Sequence, residues 1–216
     1  MIETKPRLQW ARLRRPLTYV LLCGAMLAPL SGCVGILVGG AVVGTVSASD
    51  RRTIGAQTED AAIAVKGEVK VPGIVNGDGH VNINSFNRKV LLTGEVRDAA
   101  MKTAVEREVA GISGVQSVAN ELEIAGPASY TSRSNDTLIT GKVKASLIDA
   151  KDISANSFKV VTERGIVYLM GRVTQREGRI AGNVARGVAG VKEVVKLFEY
   201  INDDELKQVD PAASTL

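Results

Sequence analysis

Leu91-Leu92-Thr93-Gly94-Glu95-Val96 returns in the second half of the chain as Tyr168-Leu169-Met170-Gly171-Arg172-Val173. Gly114-Val115-Gln116-Ser117-Val118 returns as Gly190-Val191-Lys192-Glu193-Val194, and Asn84-Ser85-Phe86 has a counterpart in Asn156-Ser157-Phe158. Three matches in the same order mean an internal duplication, so the chain carries one small domain twice.

Each copy reads the same way. Residues 56–70 place Ala61, Ala62, Val65 and Val69 at the spacing of one helical face, which predicts a first helix with those residues toward the sheet. Two strand-like stretches follow, 81–85 and 89–96, with Asn87-Arg88 as the turn between them. Residues 97–110 return to helical spacing through Ala100, Ala104 and Val105 and are closed by Gly111, and 116–124 read as a last strand. In the second copy the elements fall at 137–149, 157–161, 166–173, 175–189 and 192–201. The order α-β-β-α-β gives an α+β fold of two tandem domains, each a small three-stranded mixed sheet covered by two helices.

The segment 1–32 reads as a secretion signal. Lys5, Arg7, Arg12, Arg14 and Arg15 form a positive front, and the apolar run from Leu17 to Leu30 is shorter than the roughly 20 residues needed to span a bilayer. The run ends in Leu30-Ser31-Gly32-Cys33, which resembles the lipobox of bacterial lipoproteins and implies palmitate-type acylation of Cys33. Cys23 would leave with the signal, so no disulfide is expected. Val34 to Val46 is apolar and glycine-rich and belongs to a lipidated tether over 33–49. Val34 follows the cysteine where aspartate resembles an inner-membrane retention signal, so the expected location is the outer membrane, facing the periplasm.

The formal charge of +4 is contained in the signal, which has five basic residues and one acid. The remaining chain is neutral, so its composition makes no case for nucleic-acid binding. Its distribution is uneven: residues 50–124 are net −2 and residues 136–201 are net +4.

Gly94 and Gly171 in the second strands, and the pairs Gly114-Val115 and Gly190-Val191 with Val118 and Val194 after them, resemble the BON domain. Two such domains, at 50–125 and 136–201 with a linker over 126–135, behind a lipobox, together with Asp50-Arg51-Arg52-Thr53-Ile54-Gly55-Ala56-Gln57 and Asn135-Asp136-Thr137, resemble the DolP type of outer-membrane lipoprotein. That resemblance implies a non-enzymatic protein without cofactors. It also implies binding of anionic phospholipid through the second domain, support of envelope integrity, and association with the outer-membrane protein assembly machinery. Residues 202–216, with four acids, one lysine and little to bury, are expected to be a disordered tail.

No grouped nucleophile, base or metal ligands stand out. His80, the one histidine, sits after Gly77-Asp78-Gly79 and reads as a solvent-facing turn residue. Gly94 and Gly171 are expected to end their strands where a side chain would crowd the following helix or a bend. On helix 137–149, Ile139, Val143 and Leu147 share the packing face, which leaves Leu138, Lys142, Lys144 and Ala145 for an anionic phospholipid such as phosphatidylglycerol. Many relatives of the DolP type carry tryptophan at the position of Leu138, which suits a membrane interface better than leucine. The competing reading is a protein-docking adaptor that uses the same helix or the sheet edges without direct lipid binding.

Overall fold

The computed structural model describes residues 50–210. The expected signal peptide, Cys33, the tether and residues 211–216 lie outside them. Among the described residues no helix is long and apolar enough to cross a membrane.

The first copy runs α1 (Ile54–Lys70), a short α2 (Pro72–Val75), β1 (Gly79–Phe86), β2 (Lys89–Val96), α3 (Ala99–Ala110), β3 (Ser117–Asn120) and β4 (Glu123–Ile124). The second runs α4 (Tyr130–Asp149), a single 3-10 turn (Ala155–Ser157), β5 (Phe158–Glu163), β6 (Ile166–Val173), α5 (Gln175–Arg186), β7 (Glu193–Tyr200) and α6 (Asp203–Val209). β1 pairs antiparallel with β2, and β3 and β4 fill one edge parallel to β2. β5 pairs antiparallel with β6, and β7 parallel to it. Both sheets are therefore mixed.

Local chemistry sets the boundaries. Thr53, Asp98, Ser129 and Thr174 each accept a backbone N–H of the first turn of the helix they precede. Thr174 and Glu177 complete a reciprocal capping box. The hairpin turns use Asn87 and Arg88 in one domain and Arg164 and Gly165 in the other, all four at positive φ, as a two-residue type I′ connection requires.

Alternation along the central strands builds the layers. Val90, Leu92 and Val96 face α1 and α3 in a core with Ile63, Val105 and Val109, and Val167, Leu169 and Val173 face α4 and α5 in a core with Ile139, Val143 and Ala181. The opposite faces meet each other, with Phe86 and Leu91 of one sheet buried against Tyr168 and Met170 of the other. The order of layers is helix, sheet, sheet, helix. Strands covered on both sides bury nearly all their side chains, so β6 is apolar from Ile166 to Met170, while β2 buries Thr93 and Glu95 beside its apolar residues.

Several expectations are corrected by this arrangement. The buried face of α1 is Ala56, Asp60, Ile63 and Gly67, while Val65 and Val69 are 59% and 76% exposed. The periodicity is helical, but the core face holds an aspartate and a glycine, and the valines point outward. Helix α4 begins at Tyr130, inside the stretch read as linker, because Ser129 caps it there. Residues 203–209 of the expected disordered tail form α6, with Leu206 and Asp210 buried. Their cost of ordering is offset partly by ion pairs, Arg51 to Asp210 and Arg172 to Glu205. His80 lies in β1 opposite Glu95 rather than in a turn.

Gly94 and Gly171 lie within β2 and β6, and what they avoid is β1 for Gly94 and the 3-10 turn leading into β5 for Gly171, rather than the following helix. A Cβ on Gly94, at φ +113°, would come 2.1 Å from the His80 carbonyl oxygen, and one on Gly171 would come 2.5 Å from that of Ser157. Gly114 and Gly190 both hold positive φ after their helices, with Ile63 and Ile139 packed where a Cβ would project.

Candidate membrane-contact site

Helix α4 is 20 residues long and turns Asp136, Ile139, Val143 and Leu147 into domain 2. Its orientation is set from beneath by Asp136. That carboxylate accepts the backbone N–H groups of Arg164 and Gly165, each at 2.8 Å, and so fastens the helix to the β5–β6 turn. Asp60 does the same in the first copy, accepting from Asn87 at 2.6 Å and Arg88 at 2.8 Å, with Ser85 Oγ adding a third bond at 2.6 Å. Burial alone would raise the Asp60 carboxyl, but its hydrogen bonds with Ser85, the turn and Arg52 outweigh that and leave it below the usual carboxylate range. Asp60 was not singled out from the sequence, and Asp136 was quoted only within Asn135-Asp136-Thr137, without this role. Their signal was there: Asp60 and Asp136 are separated by the same interval as Gly114 and Gly190.

With that face fixed, the opposite face of α4 is free. Leu138 is 63% exposed and Ile148 is 70% exposed, and Gly141, Lys142, Lys144 and Ala145 between them are exposed as well. Leu138, Gly141, Ala145 and Ile148 recur at spacings of three and four, so they form one stripe along the helix. Lys142 and Lys144 stand on its two sides, and no acidic residue lies between Thr137 and Ile148. The structure thus brings together the four expected residues and adds Ile148. At the foot of the stripe, Lys144 and Ile148 line a cleft of about 230 Å³ with Leu147, Asn156 and Phe158.

The first domain lacks such a combination. Beside the apolar stripe of α1 Lys66 is accompanied by Glu59 and Glu68, whereas the α4 stripe has lysines and, from Thr137 to Ile148, no acid beside it, and the two helices lie on opposite outer layers.

Sequence comparison decides the family: the BON domain profile matches residues 64–126 and again 135–202. The chain belongs to the BON-domain family. Among curated relatives, the outer membrane lipoprotein DolP of Haemophilus influenzae is 35% identical over 175 residues, covering 80% of this chain and 91% of that one. A 21 kDa hemolysin of Actinobacillus pleuropneumoniae is 29% identical over 154 residues, covering 70% and 79%. The osmotically-inducible protein Y of Escherichia coli is 29% identical over 153 residues, covering 68% and 75%. This two-domain BON protein is of the DolP type, and it is a lipid-anchored protein of the outer membrane.

Proposed function

We propose that the second BON domain binds anionic phospholipid through the exposed face of α4, and that Cys33 is the acylated residue that holds it near the membrane. The observation that carries this reading is the pair Leu138 and Ile148, exposed at 63% and 70% on one stripe with Lys142 and Lys144 beside it. Apolar residues enter the boundary between headgroups and acyl chains, while the ammonium groups meet phosphate. Each basic group near an anionic surface contributes on the order of 1 kcal/mol. The anchor supplies effective concentration, so the site needs little affinity of its own.

The protein works as a periplasm-facing, non-enzymatic lipoprotein that supports envelope integrity and outer-membrane protein assembly. The alternative, an adaptor that docks protein on this helix, differs in its response to lipid charge. The soluble chain lacking the lipid is floated with phosphatidylglycerol vesicles and with phosphatidylcholine vesicles. Binding to the first at low salt, lost in Leu138→Glu, is expected. Equal indifference to both lipids favours the adaptor.

A further inference from the structure

The side of α1 turned away from the core is uncharged along its whole length and apolar except at Thr58. Ile54, Thr58, Ala61, Ala62, Val65 and Val69 fall within about 100° of the helix circumference, opposite Ala56, Asp60, Ile63 and Gly67. All six are exposed, Ile54 at 61%, Val65 at 59% and Val69 at 76%. The stripe has no charged member. The helix that carries it is 17 residues long, about 25 Å.

The six positions of the stripe, and the sizes of their side chains, are symmetric about the midpoint between Ala61 and Ala62. Reading outward, Ala61 mirrors Ala62, Thr58 mirrors Val65, and Ile54 mirrors Val69. An isologous twofold contact requires a surface that is its own complement. In an antiparallel α1 pair with the dyad at Ala61 and Ala62, the small residues meet at the crossing and let the backbones approach. The larger ends then meet each other. The flanking charges stand level with uncharged residues of the partner helix in that register: Lys66 with Gln57, Glu68 with Gly55, and Glu59 with Ala64.

We propose that α1 is a homodimer surface and that its occupant is α1 of a second copy of this chain. The layer order favours a second copy over the bilayer. The stacked sheets place α1 and α4 on opposite outer layers, so with α4 on the membrane the α1 stripe points away from it. The first domain is also net −2, and Lys66 beside the stripe is outnumbered by Glu59 and Glu68. A single helix pair buries less than the ~800 Å² per partner of a standard stable interface, so the dimer is weak in dilute solution. Lipid anchors on one surface raise the effective concentration of the copies, and because α1 and α4 lie on opposite layers only one copy of each pair keeps α4 on the bilayer while the second is held by its anchor.

The test uses the lipidated full chain in proteoliposomes, with Thr58→Cys and Val65→Cys made separately and then mixed, and with the parent chain as control for Cys33. In the antiparallel register position 58 of one copy faces position 65 of the other, while like positions are too far apart to bridge. A mixed disulfide several-fold above either variant alone is expected. Adding Val69→Asp to both chains places two carboxylates in the contact and lowers that yield by about tenfold or more. This position is exposed, so the fold is retained. Crosslinks within single variants, or none in the mixture, overturn the proposal. Quenching of a fluorophore attached to Val65→Cys by lipid-borne quenchers, without mixed disulfide, overturns it in favour of the membrane.

Discussion

Arg51 lies bidentate on the Glu177 carboxylate, with Nη1 at 2.8 Å from Oε2 and Nη2 at 2.7 Å from Oε1. The pair joins the segment that precedes α1 to the first turn of α5 in the other domain, and Arg51 Nε reaches Asp210 after α6 at 3.2 Å. Three distant parts of the chain thus meet at one buried guanidinium. Arg51→Ala leaves the Glu177 carboxylate buried without it, which costs about 3–5 kcal/mol. A thermal melt should show a large fall in Tm, and a change within error would contradict the role of this junction.

The same junction sets an acid limit on stability. Burial alone would raise Glu177, but the hydrogen bonds from Arg51 and Thr174 with the Arg51 charge outweigh it, so its folded pKa is depressed. The stability this contributes is present above the unfolded carboxylate range and is lost as pH falls through the folded value. Glu177→Gln should therefore be less stable than the parent at pH 7, with a gap that narrows as the pH is lowered below 4.

Glu163 has the opposite sign. Burial raises its carboxyl, and Glu95 and Asp136 nearby add to this, while the bond from Asn82 at 2.8 Å and His80 oppose it. An acid with a raised folded pKa costs stability as pH rises above its unfolded value. Glu163→Gln keeps an acceptor for Asn82 and removes the charge, so it should raise Tm at pH 7 and have little effect near pH 4. Equal effects at both pH values would contradict the assignment.

The aspartate clamps predict a matched pair of losses. Asp136→Ala orphans two backbone N–H groups of the β5–β6 turn, and Asp60→Ala does so in the first domain, each costing about 1–3 kcal/mol or more. Gly94→Ala, which drives a Cβ into the His80 carbonyl at positive φ, should cost about as much again or more. Denaturant titrations of each variant check these values.

Strands and helices of the repeat were legible because apolar alternation and the recurring glycines are local signals. The burial of β2 and β6 on both sides was not read from the sequence, although Leu91-Leu92 and Tyr168-Leu169-Met170 carry its signal. Which side of α1 faces inward was not, because Asp60 is buried by hydrogen bonds that its sequence neighbours do not announce. Helix α6 was missed for a related reason: it is fastened largely by ions from Arg51 and Arg172, far away in sequence. At the candidate site Leu138, Lys142, Lys144 and Ala145 followed from the Ile139 stripe, and Ile148 would have followed from the same count carried one turn further.

The most direct measurement is a chemical-shift map of residues 50–210 on addition of anionic phosphatidylglycerol micelles. The account predicts saturable shifts concentrated on the amides of Leu138 to Ile148 and on the Lys142 and Lys144 side chains, weakened by salt and absent in Leu138→Glu. Shifts centred on α1 instead, or no shifts in α4 at low salt, would contradict it.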